Sequence, residues 1–235
     1  MIYRRAAQVY PYKIQIAILT CERVGRYVDY LIKSLFNAKW IEFFTPINIV
    51  IDTNNRKYLK EYSTDDRIRL HYLSNKDNDI QCKRKRVHRC NYGHFRCINI
   101  FDYKHDGILI FEDDAVVDSN IFDILGDMIK EIENESKIGY YLFTLYPYFK
   151  DDLSLYHGKS FSKHPAVFYA QHCMYYPLSI IEDVKRALLH GCYYDKHKTP
   201  TDLLLGKNFA IDKKVMYRSI AKPVKCIGKV SHVNT

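Results

Sequence analysis

Residues 107–118 read GILIFEDDAVVD, an apolar run that ends in three consecutive acids and then turns apolar again. Ile108 to Phe111 is too short for a buried helix and is rich in branched and aromatic side chains. It follows the turn-like Lys104-His105-Asp106-Gly107, so it reads as an interior strand. Glu112, Asp113 and Asp114 then lie at the carboxyl end of that strand, where ligands bind in open α/β sheets. Three adjacent carboxylates repel one another unless something cationic shares the space, and a divalent metal carrying a phosphate ester answers that need. The alternative is an acidic loop that follows a buried strand without any ligand.

Working back from the acids, Lys83 to Phe101 carries an apolar stripe at Val87, Cys90, Tyr92, Phe95, Ile98 and Phe101, which predicts a helix in spite of Gly93. Its basic head includes Lys83, Arg84, Lys85, Arg86 and Arg89, either a grip for phosphate or a solvated face. Arg86 and Arg89 are the better phosphate candidates because they adjoin the helix body. Further back, Ile14–Thr20, Ile47–Ile51 and Ile68–Leu73 are predicted strands, with a helix at Val24, Val28, Leu31, Ile32, Leu35 and Phe36 after the first. If these strands are parallel, Thr20 to Arg23, Asp52 to Asn54 and Glu112 to Asp114 open onto one rim. Such a rim suits a nucleotide, with an acid bonding the base or ribose and the acidic triplet holding a metal.

Forward of the acids, Ser119 is a predicted N-cap for a helix through Ile121, Phe122, Leu125, Met128, Ile129 and Ile132. A strand is predicted at Gly139–Leu145, then a long aromatic loop over Tyr146–Lys163. Its tyrosines suit stacking on a sugar ring or a satellite core. Ala166–Tyr176 is β-rich, and Ser179 with Glu182 forms a capping-box pair for a helix that stops at Gly191. Thr199-Pro200-Thr201-Asp202 opens a short helix, and Lys214–Ile220 is the last strand before the tail VKCIGKVSHVNT.

Composition bounds the reading. With 235 residues, 47% hydrophobic and 27% charged, the chain has ordinary globular composition and enough length for a real core. A single α/β domain is expected over 1–235, with a nucleotide-binding half at 1–118 and an acceptor-side half at 119–235. The formal net charge of +9 favours polyanions, phosphorylated small molecules or anionic membranes without choosing among them. Seven cysteines with no CxxC pair argue against zinc-ribbon and disulfide scaffolds and suggest reduced thiols in the cytosol. No apolar window is long enough to span a bilayer and no secretory leader is visible, so a soluble, cytoplasmic protein without a transmembrane segment is expected.

Taken together, a first strand ending in a Thr/Arg loop, a second ending in Asp, a basic helix, strand-EDD, an aromatic-rich region, a PTDLLLG helix and an IGKVSH tail resemble the small GT-A-fold glycosyltransferases with a DxD-type metal site. The resemblance covers nearly the whole chain, and the compact size is similar to virus-encoded members such as those of large algal DNA viruses, placing the protein in the host cytoplasm. It implies an α/β, Rossmann-type mixed sheet flanked by helices, with a mixed acceptor-side region. It also implies a nucleotide-sugar donor, a UDP-sugar in particular, a glycan or other hydroxyl acceptor, no nucleic acid, and Mn²⁺ or Mg²⁺ as cofactor.

By this resemblance Thr20, Arg23 and Asp52 line the nucleoside pocket and Glu112 lies near the ribose. Asp113 contacts ribose or a metal-bound water, and Asp114 is the carboxylate ligand of the metal. Arg86 and Arg89 are donor-side cations. His232 is the tail histidine that completes the metal shell, while Cys226 departs from relatives that place a histidine in a similar QHIG segment. Asp202 is the general base for an inverting transfer, or else a first-turn acid on its helix dipole. Gln171 and His172 are retained as donor or acceptor contacts. Two rival readings stand beside this one: a metal-dependent nucleotidyltransferase, and a basic nucleic-acid or polyanion binder resting on the charge and the basic helix. The first lacks a Walker-type glycine loop, and the second leaves the EDD strand without a role.

Overall fold

The computed structural model describes residues 10–22, 25–73, 86–135, 141–146, 161–163, 172–193, 199, 201, 204–205, 208 and 215–228. Four strands of the first half, β1 (Ile14–Cys21), β2 (Ile47–Asp52), β3 (Ile68–Tyr72) and β4 (Gly107–Glu112), pair in parallel in the order β3-β2-β1-β4. Beyond β4 the sheet continues through β8 (Cys173–Pro177), β6 (Tyr141–Thr144), β9 (Val215–Ser219) and β7 (Phe161–Lys163), making eight strands. The β4–β8 pairing is antiparallel, so the sheet is mixed, as expected. A separate two-stranded ribbon joins β5 (Ala115–Val117) to β10 (Val224–Cys226).

Side chains on β1 alternate between the two faces of the sheet, as a strand covered on both sides requires. Ile14, Ile16 and Ile18 enter one core with helices α1 (Tyr27–Phe36) and α3 (Ile121–Glu135), while Ala17 enters the other, shared with α2 (Arg86–Asn99) and α4 (Ile181–Tyr193). The predicted stripe of α3 is buried throughout, at Ile121, Phe122, Leu125, Met128, Ile129 and Ile132. An aromatic pack of Tyr10, Phe44 and Phe122, with Phe44 stacked on Phe122 at 4.3 Å between centroids, closes the α1–α3 side.

Several local expectations give way to tertiary contacts. Ser119 spends its carbonyl on Lys39 N–H, and Asn120 supplies the carbonyl that takes the first helical bond, from Ile124. The Glu182 carboxylate accepts from Tyr103 and Lys185, and a 3₁₀ turn at Leu178–Ile180 leads into α4. Helix α4 runs through Gly191 to Tyr193, because Gly191 serves contact and not termination: a Cβ there would stand 2.1 Å from Leu204 Cδ2. Gly93 is likewise a contact residue, letting α2 settle onto Leu19 of β1. On α2 the fully buried residues include the polar Asn91 and His94, while Phe95 is only partly buried, so the helix turns a polar edge inward.

Candidate active site

The parallel strands β1, β2 and β4 end at one rim of the sheet. Register places Cys21 beside Asp52 and Leu19 beside Glu112. The chain leaves β1 on one side toward β2 and β3 and returns on the other side as β4, so a crevice opens at β1 where strand order reverses. Thr20 and Asp113 face each other across it: Thr20 donates to Asp113 Oδ2 at 2.7 Å, and both side chains are buried. Asp52 is buried at the end of β2. On the same rim, Thr53 and Asn55 donate to the two oxygens of Glu22 at 2.8 Å each, tying the loop after β2 to the end of β1 and holding the Glu22 carboxyl below its ordinary range.

Antiparallel pairing of β8 with β4 brings His172 to the acids, and Glu112 N–H donates to the His172 carbonyl at 3.1 Å. His172 Nδ1 stands 3.2 Å from Glu112 Oε2 and 3.1 Å from Asp114 Oδ1. Burial alone would push the imidazole toward neutrality, but its contacts with Asp114, Cys226 and Glu112 outweigh that and raise its pKa far above the ordinary histidine range. Burial likewise works against the Glu112 charge, and hydrogen bonds from His172 and His94 win, holding its carboxyl far below the usual range. The repulsion expected among three adjacent acids is thus answered by an imidazolium between two of them and a hydroxyl on the third.

The tail completes this corner. Ile227 N–H donates to the Asp114 carbonyl at 2.7 Å, Cys226 pairs with Ala115, and Asp114, His172 and Cys226 place one potential ligand atom each within 4.8 Å of one another. Gly228 lies so close that a Cβ on it would be 2.5 Å from Asp114 Oδ2. On the other side of Glu112, Cys90 and His94 from α2 form a second group of the same kind. Asn91, one residue along, donates to the Thr199 carbonyl at 3.0 Å and accepts from the Thr201 hydroxyl, docking the segment that leads to position 202 onto α2.

Of the residues singled out from sequence, Thr20, Asp52, Glu112, Asp113 and Asp114 therefore share one rim. Arg86 and Arg89 lie in the first turn of α2, and their side chains, like residues Arg23, Gln171, Asp202 and His232, lie outside the described residues. Sequence reading gave little weight to Cys90 and His94, although their four-residue spacing on a predicted helix sets them on one face. His172 carried no such signal, being 58 positions from Asp114 along the chain.

No protein-family model matches the sequence, and comparison with characterised proteins by sequence finds no match. Comparison of structures does find likeness. S. aureus TarS residues 1–349 in complex with UDP-GlcNAc superposes with a TM-score of 0.62 at 10% identity, over 95% of this chain and 61% of that one. The same TarS fragment without that ligand gives 0.57 at 9% identity, over 90% and 59%. The fold is GT-A-like. A longer S. aureus TarS chain gives 0.53 at 9% identity, over 90% of this chain and 37% of that one. The chain thus spans about three-fifths of the TarS 1–349 fragment it resembles.

Proposed function

We propose that the chain is a glycosyltransferase that moves a sugar from a nucleotide-sugar donor, a UDP-sugar, to a hydroxyl acceptor with a divalent metal at Asp114. The observation that carries this reading is the convergence on one crevice of Thr20, Asp52 and the Glu112–Asp114 turn, with His172 and Cys226 brought onto Asp114 from β8 and the tail. Support comes from the likeness in fold to a protein whose structure holds UDP-GlcNAc.

The residues at Asp114 fit a divalent cation. Positive charge is already required there, since His172 stands as a cation between Glu112 and Asp114. A carboxylate, an imidazole and a thiol make a mixed oxygen, nitrogen and sulfur donor set, which suits Mn²⁺ better than Mg²⁺. When bound, the metal would neutralise charge on the departing nucleoside diphosphate.

The chain's own groups supply the rest. Thr20 and Asp113 form a fixed floor, and Asp52 and Glu22 offer acceptor oxygens on the rim for N–H and O–H groups of a base or ribose. The gap between β4 and the docked Thr199–Thr201 segment is bridged by α2, which ties the acceptor side to the donor side. In an inverting transfer, Asp202 takes the proton of the acceptor hydroxyl as that oxygen bonds to the sugar and the bond to the diphosphate breaks.

Thermal unfolding tests the reading. Mn²⁺ and UDP together should stabilise the protein more than the sum of either alone; a ligand held free at about a hundred times its Kd contributes about 2.7 kcal/mol. Asp114→Asn should abolish that synergy, and with it turnover of a UDP-sugar panel, while the metal-free protein still unfolds cooperatively at a melting temperature lowered by loss of the contact with His172. Equal stabilisation of wild type by UDP with and without metal would overturn the metal assignment, and no effect of any nucleotide would overturn the donor.

A further inference from the structure

Cys90 and His94 stand one helical turn apart on α2 and look across at the far side of Glu112 from His172. Cys90 Sγ is 3.9 Å and His94 Nε2 is 3.4 Å from the same oxygen, Glu112 Oε1. Zinc, about 2.3 Å from sulfur and about 2.0 Å from nitrogen or oxygen, has tetrahedral edges of about 3.5 Å for S···O and about 3.3 Å for N···O. The two edges to Glu112 Oε1 are therefore within a few tenths of an ångström of those of such a site, and all three donor atoms lie within 4.8 Å of one another. The His94 ring is fully buried; its Nε2 faces Glu112, while its Nδ1 finds no hydrogen-bond partner among the described residues, leaving one nitrogen of a buried imidazole unsatisfied. Glu112 is meanwhile steadied from behind, its Oε2 engaged by His172.

We propose that Cys90, His94 and Glu112 form a second cation site, one that takes zinc, separate from the Asp114 corner. Thiolate, imidazole and carboxylate are the three ligand types zinc accepts, with the fourth position left to solvent, and a thiolate disfavours Mg²⁺. Binding displaces the Cys90 thiol proton to solvent and involves no change of oxidation state. Its effect is mechanical: the ion pins α2 to the carboxyl end of β4, and α2 through Asn91 holds Thr199 and Thr201. The site stands whether or not the protein transfers sugars, since nothing in it depends on a donor.

Two measurements on the full chain decide it. In the unmodified protein, Cys90 is part-exposed and open to iodoacetamide, and peptide mass mapping follows its alkylation. Zinc at about ten times its Kd should slow that alkylation about tenfold, while Mg²⁺ at the same concentration should not. Because Cys226 offers a thiol at the neighbouring corner, cobalt substitution is read in Cys226→Ser. There a thiolate-to-cobalt charge-transfer band should appear at one equivalent, weaken with His94→Gln and vanish with Cys90→Ser. Alkylation of Cys90 indifferent to zinc, or a cobalt band that survives loss of Cys90, would overturn the proposal, and the first of these requires no variant to fold.

Discussion

His172 does for the metal-free protein what a cation would do, and this makes stability depend on pH in a defined way. Glu112, held below its ordinary 4.5, contributes stability above that pH and loses it as pH falls through the folded-state value. His172, raised above its ordinary 6.5, contributes below that pH and loses it as pH rises through the folded-state value. Both contributions are complete between pH 4.5 and 6.5. In metal-free melts, the difference in melting temperature between wild type and His172→Asn should be largest in that window and shrink on its alkaline side. Metal must displace the His172 proton, so Mn²⁺ affinity by titration calorimetry should rise with pH. Gly228 tests the same corner by shape: Gly228→Ala crowds Asp114 Oδ2 and should weaken Mn²⁺ binding about tenfold, or about 1.4 kcal/mol, with little change in the melting temperature. Asp114 was legible from its place after an apolar run. His172 was kept from sequence as a donor or acceptor contact, but its pairing with Asp114 was not legible, because a contact made by strand pairing leaves no spacing in the sequence to detect.

Among the elements, α2 joins the two sides of the crevice. One edge reaches Glu112 through Cys90 and His94, and Asn91 secures the Thr199–Thr201 segment. Asn91 is fully buried, so Asn91→Ala leaves the Thr199 carbonyl and the Thr201 hydroxyl without this partner. The expected cost is about 1–3 kcal/mol in chemical denaturation. On the proposed role of Asp202, turnover should fall further than stability explains, since its neighbour Thr201 loses this contact. The helix itself was evident from its apolar stripe, whose Tyr92, Ile98 and Phe101 are buried, yet the stripe left out the equally buried Asn91 and His94. Hydrophobic periodicity counts Asn91 and His94 as outward; in the structure Asn91 is met by Thr199 and Thr201, and His94 turns Nε2 to Glu112. Gly191 was misread for a related reason, since a glycine that ends a helix and a glycine that admits a neighbour's side chain look alike until Leu204 is in place.

Over the whole molecule, β4 pairs on one side with β1 of the first half and on the other with β8 of the remainder, and the eight-stranded sheet runs unbroken through both. Halves that share a central strand cannot lose their cores separately. Unfolding should therefore be a single transition, with calorimetric and van't Hoff enthalpies that agree; two resolved transitions would show that the halves are independent.

Strand identity and the alternation that buries both faces of the sheet are properties of nearest neighbours in the chain, so the amino-acid sequence alone determined the α/β class, the strands of the first half and the acids at the end of β4, while the parallel pairing of those strands came with the structure. The antiparallel entry of β8, the ribbon between β5 and the tail, and hence the meeting of Asp114 with His172 and Cys226 were decided only by the tertiary structure. Local patterns are set by steric and hydrophobic preferences over a few residues. A site assembled from strand ends and a tail depends on which edges pair, and that is settled by the packing of the whole chain.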